Sequence, residues 1–120
     1  AGVKTILLGG MLRSGTPDLT GEVAEASLDL LAVDVAFQGA DGIGLDGTLY
    51  TADLGAASLE RKGRERAART YVLADSSKIG RTALARHGAL NETQGLITDR
   101  GIAQRHLAAL RRAGVAVTIV

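Results

Sequence analysis

At 120 residues, with 14 Lys+Arg against 13 Asp+Glu and 46% hydrophobic residues, the chain is sized for one hydrophobic core and not for two. The absence of Cys excludes disulfide scaffolds, cysteine nucleophiles and Cys-based zinc sites, and two histidines, His87 and His106, are too few for a His-rich metal site. The longest apolar stretches, residues 5–8 and 115–120, fall far short of the roughly 20 residues that a membrane-spanning helix requires, so a cytoplasmic setting with no membrane partner is expected.

Sixteen glycines are about twice the roughly 7% of ordinary proteins, and with a single Pro they point to many tight turns rather than to disorder. The near-zero net charge conceals a division: residues 1–60 hold two basic and nine acidic side chains, residues 61–120 twelve basic and four acidic. In an α/β domain the two halves interleave, so mutual neutralisation is expected rather than a nucleic-acid surface.

Residues 4–8 form an apolar run closed by Gly9-Gly10, which predicts a buried strand and a turn. Thr20 reads as the N-cap of a helix over about 21–32. Glu22 and Glu25 suit its positive end, and Val23, Ala26, Ser27, Leu30 and Leu31 share one face. Residues 35–37 predict a second buried strand that runs into 39–47, where four glycines in nine residues permit sharp turns. A short strand over 48–51 follows, and Asp53 caps a helix to about residue 68 with Ala56, Leu59, Gly63 and Ala67 on its inner stripe. Glu60 with Arg64, and Glu65 with Arg69, have the i, i+4 order of exposed helical pairs, so the basic run 61–69 reads as a solvated face rather than a DNA contact.

Residues 71–74 predict a third strand, ended by the polar segment 75–80. Residues 96–98 predict a fourth; Asp99 caps a helix over 102–113 with Ala103, Leu107 and Leu110 inside; Gly114 stops it; and 115–120 is a fifth strand. His87 is assigned to a turn and His106 to a helix edge. Continuously apolar strands joined by helices predict an α/β, Rossmann-like fold: a mostly parallel sheet with helices on both faces.

Ligands of open α/β sheets sit beyond the carboxyl ends of the strands. Three such ends are polar and Gly-rich: Gly9-Gly10, the segment 39–47 with Asp41, and Asp75-Ser76-Ser77-Lys78. Together they suit a small polyol carrying an anionic group, with Asp41 and Asp75 accepting from hydroxyls and Lys78 meeting the anion. The alternative is that Asp41 supports a turn and Asp75 caps one. Gly39-x-x-Gly42-x-Gly44 reverses the dinucleotide spacing, and no phosphate loop, calcium loop or serine elbow is present, so no cofactor or metal is expected.

Leu7-Leu8-Gly9-Gly10, Gly21, the run 34–43, Ala74-Asp75-Ser76-Ser77-Lys78-Ile79-Gly80 and Leu96-Ile97-Thr98-Asp99, in this order, resemble the C-terminal sensor domain of the DeoR family of bacterial transcriptional regulators. The resemblance covers nearly the whole chain. It implies a fold similar to ribose-5-phosphate isomerase and a repressor of sugar-metabolism genes. Its effector would be a sugar phosphate or related metabolite, its DNA contact an N-terminal winged helix-turn-helix, and its state a homo-oligomer. It places Asp41, Asp75 and Lys78, with Gly39, Gly42, Ser76 and Ser77, at the effector pocket. It also implies a Gly-Thr-Thr-like phosphate loop ahead of residue 1, so residues 1–120 are expected to be an incomplete effector-sensing domain. The chain departs from the family at Glu60, where Lys is usual, and at Ala56, where Glu is common.

The competing enzyme reading, a sugar-phosphate isomerase, is weakened residue by residue. The first Asp of the isomerase's Asp-Gly-Ala-Asp motif is Gln38 here, and residues 48–51 lack its Lys-Gly-Gly run, leaving Asp41 as the sole candidate base. A third reading makes the chain an oligomerisation module whose sheet edges need a partner.

Overall fold

The computed structural model describes residues 2–120. The chain runs β1 (Met11–Leu12), β2 (Leu19–Thr20), α1 (Glu22–Asp29), β3 (Val33–Gln38), β4 (Gly42–Ile43), β5 (Thr48–Thr51), α2 (Leu54–Glu65), β6 (Ala67–Leu73), β7 (Ala85–Ala89), β8 (Gly95–Thr98), α3 (Gln104–Arg112) and β9 (Val117–Ile119). β3, β6, β8 and β9 form a four-stranded, wholly parallel sheet in that order, with Phe37 opposite Tyr71, Tyr71 opposite Gly95 and Leu96 opposite Val117. A second, antiparallel sheet, β4-β5-β7, is tied to the carboxyl end of β6 through the bridge between Ile43 and Ile79. The mixed α/β class with a parallel sheet is therefore the one expected from the sequence.

Successive strands of the parallel sheet are added in one direction. Right-handed crossovers then carry both α2 and α3 to the same face, so the expected cover of helices on both faces is not found among the described residues. That face holds the core: Val72 and Leu96 from the sheet, Ile43, Leu49 and Leu90 from the antiparallel layer, and Leu107 and Leu110 from α3, all under 7% exposed. On the opposite face Phe37 stacks on Tyr71, with ring centroids 6.0 Å apart, yet remains 67% exposed, and Leu73 beside it is also exposed.

Four local expectations are corrected. Residues 4–8 form no strand: they find no ladder partner among the described residues, and Ile6 and Leu7 remain exposed. Thr20 does not cap α1, because it pairs with Met11 in the β1–β2 hairpin; the cap is Gly21, at φ 95°, whose carbonyl accepts from Glu25. The buried side of α1 is centred on Ala24, with Val23 and Leu30 outside. Asp99 does not cap α3, which starts behind Ala103; its carboxylate accepts instead from Ser76 and Gly101. Gly114, at φ 84°, does stop α3 as expected.

The helix α2 begins where the sequence places it, because the Asp53 side chain accepts from the Ala56 amide at 2.9 Å. This carboxylate also meets Arg13 at 2.8 Å, which fastens the β1–β2 hairpin to the helix start. Backbone hydrogen bonding, from Ala56 first, holds its pKa below the usual carboxylate range. Replacing Asp53 with Ala is expected to lower stability through loss of the N-cap, read as a lower urea midpoint at unchanged slope. The helix ends at Glu65 rather than near residue 68, and Arg69 lies in β6, so a helical Glu65–Arg69 pair does not exist.

Candidate functional site

A cavity of about 830 Å³ opens between the carboxyl end of β3, the start of α2 and the N-terminal segment. Its walls are residues 6–8, Arg13 with residues 16–20 of the hairpin, residues 39–41, residues 51–52, Ala56, Leu59 and Glu60 of α2, and His87 of β7. Two of the residues singled out from the sequence, Gly39 and Asp41, line it. Asp41 also holds the turn together: its Oδ2 accepts from Thr51 Oγ1 at 3.0 Å and from the Ala52 amide at 2.8 Å. Its Oδ1 is left for another donor. Gly42 lies directly behind, where a Cβ would sit 2.6 Å from the Arg81 carbonyl oxygen, so only glycine allows this strand to pass that close.

The other four candidates form a separate cluster. Ser76, Ser77 and Lys78 make a single 3-10 turn after β6, capped by Asp75, whose Oδ1 accepts from the Ser77 amide at 2.9 Å and from the Ser77 hydroxyl. Those two bonds hold the Asp75 pKa below the usual carboxylate range. Ser76 is engaged through its amide and hydroxyl, at 2.8 and 2.9 Å, with Asp99. Lys78 is half-buried and makes no ion pair with the described carboxylates. Both groups stand at carboxyl ends of neighbouring parallel strands, and Gly80 donates to the Ile43 carbonyl at 2.7 Å between them, but only Gly39 and Asp41 belong to the cavity wall.

Two wall residues were not legible as such. His87 is in the middle of β7, not in a turn, and is 1% exposed. Its Nδ1 lies 3.0 Å from Arg64 Nη1, its carbonyl accepts from Arg64 Nη2, and its Nε2 is buried without a partner. Burial, reinforced by the Arg64 and Arg61 cations, lowers its pKa to about 4, so the ring is neutral at neutral pH. Arg64 is correspondingly not a solvated surface arginine: its side chain is 7% exposed and also donates to Gln38 Oε1 at 3.2 Å. Glu60, one turn earlier, is buried enough that its pKa is raised to about 7; Arg64 opposes the rise, while Asp18 and Asp41 add to it. The inner stripe read from the sequence, Ala56, Leu59, Gly63 and Ala67, has Glu60 at its edge on the helical wheel, and that was the available signal. Among the described residues no group of three or more His, Asp or Glu is placed to hold a metal ion, and no helix is long and apolar enough to cross a membrane.

Residues 1–100 match the family described as the DeoR C terminal sensor domain. The chain belongs to this family. As a DeoR sensor domain it is similar to the putative aga operon transcriptional repressor of Escherichia coli O157:H7, 36% identical over 119 residues, which is 99% of this chain and 44% of that protein. It is likewise similar to the HTH-type transcriptional repressor GlcR of Bacillus subtilis, 34% identical over 98% of this chain and 45% of the relative. A third relative is the HTH-type transcriptional regulator GlpR of Haloferax volcanii, 31% identical over 92% of this chain and 44% of the relative. The sensor domain thus spans less than half the length of the curated relatives it matches.

Proposed function

We propose that the chain is the effector-sensing part of a DNA-binding transcriptional regulator, a repressor of sugar-metabolism genes, that binds a sugar phosphate or a related metabolite. The observation that carries this reading is the cavity itself: in a DeoR sensor domain, a space of about 830 Å³ lined by apolar residues with Asp18, Asp41 and Glu60 among them opens at the carboxyl end of a parallel strand, where α/β sheets take ligands. Asp41 supplies an acceptor for hydroxyls there. Lys78, with Ser76, Ser77 and Asp75 around it, is the neighbouring cation for the anionic group. Relatives named as operon and regulon regulators support the regulatory role. Binding of effector shifts the population of DNA-binding-competent states to the extent that the ligand binds those states unequally, and the signal passes to the helix-turn-helix that relatives of this kind carry in their names.

A panel of ribose 5-phosphate, fructose 6-phosphate, glucose 6-phosphate and glycerol 3-phosphate, each at about 100 times its Kd, is expected to raise the melting temperature of the full-length protein by about 5–10 °C for its effector. Asp41→Ala and Lys78→Ala abolish the shift. No shift with any member contradicts the sensing role. Ribose 5-phosphate turnover above blank would instead support the isomerase reading, for which Glu60, a carboxyl titrating near neutrality in the cavity wall, is the residue best placed as base. The exposed Phe37 and Leu73, beside the half-buried Tyr71, favour association of copies, against which a strictly monomeric sedimentation profile would count.

A further inference from the structure

The charge division of the sequence becomes a division in space. The parallel sheet runs β3-β6-β8-β9, which is chain order, so the two halves lie toward opposite edges and do not interleave. Toward the β3 edge the acidic side chains are largely answered within the molecule: Asp29 of α1 pairs with Lys62 at 3.0 Å, Glu25 accepts from Ser58 at 2.7 Å, and Asp18 meets Arg13 at 3.6 Å. The β9 edge has no such balance. Residues 100–120 hold four arginines, Arg100, Arg105, Arg111 and Arg112, and no Asp or Glu.

All four arginines are exposed, and none joins an ion pair among the described residues. The carboxylate next to them, Asp99, is occupied by Ser76 and by the Gly101 amide. α3 buries Leu107 and Leu110, and its opposite side, Gln104, Arg105, Ala108, Arg111 and Arg112, is exposed. With 3.6 residues per turn these five span about 120° of the helix circumference, and Arg105 and Arg112 stand nearly in line about 10 Å apart along the axis. Helix stability accounts for only part of this arrangement. Arg111 and Arg112 suit the negative carboxyl end of α3, but Arg105 is in its first turn and Arg100 lies ahead of it, where the helix dipole disfavours cations. Four unmatched guanidinium groups on one surface repel one another, and a polyanion relieves that repulsion.

We propose that this face of α3, together with Arg100, contacts the phosphate backbone of duplex DNA in the full-length regulator, in addition to the helix-turn-helix that relatives carry in their names. The proposal rests on the reading of the chain as part of a DNA-binding regulator. Guanidinium groups pair with phosphate oxygens through two parallel N–H donors, and such contacts carry no sequence information. The face therefore adds affinity for any duplex and leaves the choice of operator to the helix-turn-helix. A second copy of the chain fits it less well. Of the carboxylates on α1 and β3 at the opposite edge, only Glu22 and Asp34 are without a partner among the described residues, too few for four arginines.

The test measures binding of the full-length regulator to a duplex of random sequence between about 50 and 200 mM salt, where each phosphate contact contributes about 0.9 to the slope of log affinity against log salt. The triple variant Arg105→Gln, Arg111→Gln, Arg112→Gln lowers that slope by about 2.7, so over this range the wild type loses about 40-fold more affinity than the variant. Lys at the same three positions keeps the wild-type slope. The melting-temperature shift with the bound compound of the panel is unchanged in both variants, since none of the three residues lines the cavity. Equal slopes for the wild type and the Gln variant overturn the α3 contact and leave the regulator reading intact. A lower slope accompanied by a changed sedimentation profile assigns the face to a second copy and overturns the DNA contact. A wild type that binds no duplex even at about 50 mM salt overturns the regulator reading and this proposal with it.

Discussion

Arg64→Ala is expected to cost about 3–5 kcal/mol of stability, whereas Arg61→Ala, three positions earlier on the same helix, stays within about 0.5 kcal/mol. Both belong to a run of basic residues that in sequence resembles a solvated helix face. Arg61 is exposed. The Arg64 side chain is 7% exposed and serves three acceptors, Gln38 Oε1, His87 Nδ1 and the His87 carbonyl, with Glu92 at 3.9 Å as its one ion-pair partner among the described residues. Truncation leaves all three acceptors without their donor, and each unsatisfied buried group costs about 1–3 kcal/mol, partly recovered by water. The long Glu92 contact, with a carboxylate more than half exposed, adds little. Urea denaturation of the two variants checks the contrast; equal midpoints would show that Arg64 is a surface residue after all.

The second large effect is in the pH profile. Glu60 has its pKa raised from 4.5 to about 7, chiefly by burial. The folded state binds its proton more tightly than the unfolded state, so the associated stability is full below about pH 4.5 and is lost as pH rises through about 7. His87 is shifted the other way, from 6.5 to about 4, again chiefly by burial. Its stability is full above about pH 6.5 and is lost as pH falls through about 4. Each shift corresponds to at most about 3 kcal/mol. Between about pH 4.5 and 6.5 the two slopes oppose, so the wild type is nearly flat there as far as these groups decide it. Glu60→Gln unmasks the histidine: stability then rises with pH across that interval, and the variant exceeds the wild type by up to about 3 kcal/mol at pH 8. His87→Gln unmasks the carboxyl, and stability falls as pH rises toward 7. Urea midpoints taken at half-unit pH steps decide the matter; a Glu60→Gln profile parallel to that of the wild type would contradict the burial of this carboxyl.

The parallel sheet was legible because its strands are short apolar runs closed by glycine or small polar residues, as at Val72 before Asp75 and at Leu96 before Asp99. The strand β7 was not, since Ala85-Arg86-His87-Gly88-Ala89 has little β propensity of its own and exists through its ladder with β5, where Thr51 faces Ala85 and Leu49 faces Gly88. Residues 4–8 fail in the opposite sense: the run has the composition of a buried strand but no neighbouring strand among the described residues. At the site, Asp41 could be found from its place after a strand. His87 could not, because what makes it notable, burial beside Arg64 and an unpartnered nitrogen, arises from three elements meeting in space. The exposed-pair reading of Glu60 and Arg64 followed from their spacing alone. Spacing gives adjacency on a helix but not which side of the helix the rest of the fold covers.

Operator binding by the full-length regulator, measured in the absence and the presence of each of the four phosphorylated compounds at saturation, bears most directly on the sensing role. A coupling free energy of ordinary size changes the operator Kd about 5- to 150-fold for the effector, and Asp41→Ala removes the change while leaving operator affinity without effector as it was. Operator affinity that is the same with and without every compound, in a protein shown to bind one of them, would contradict the account.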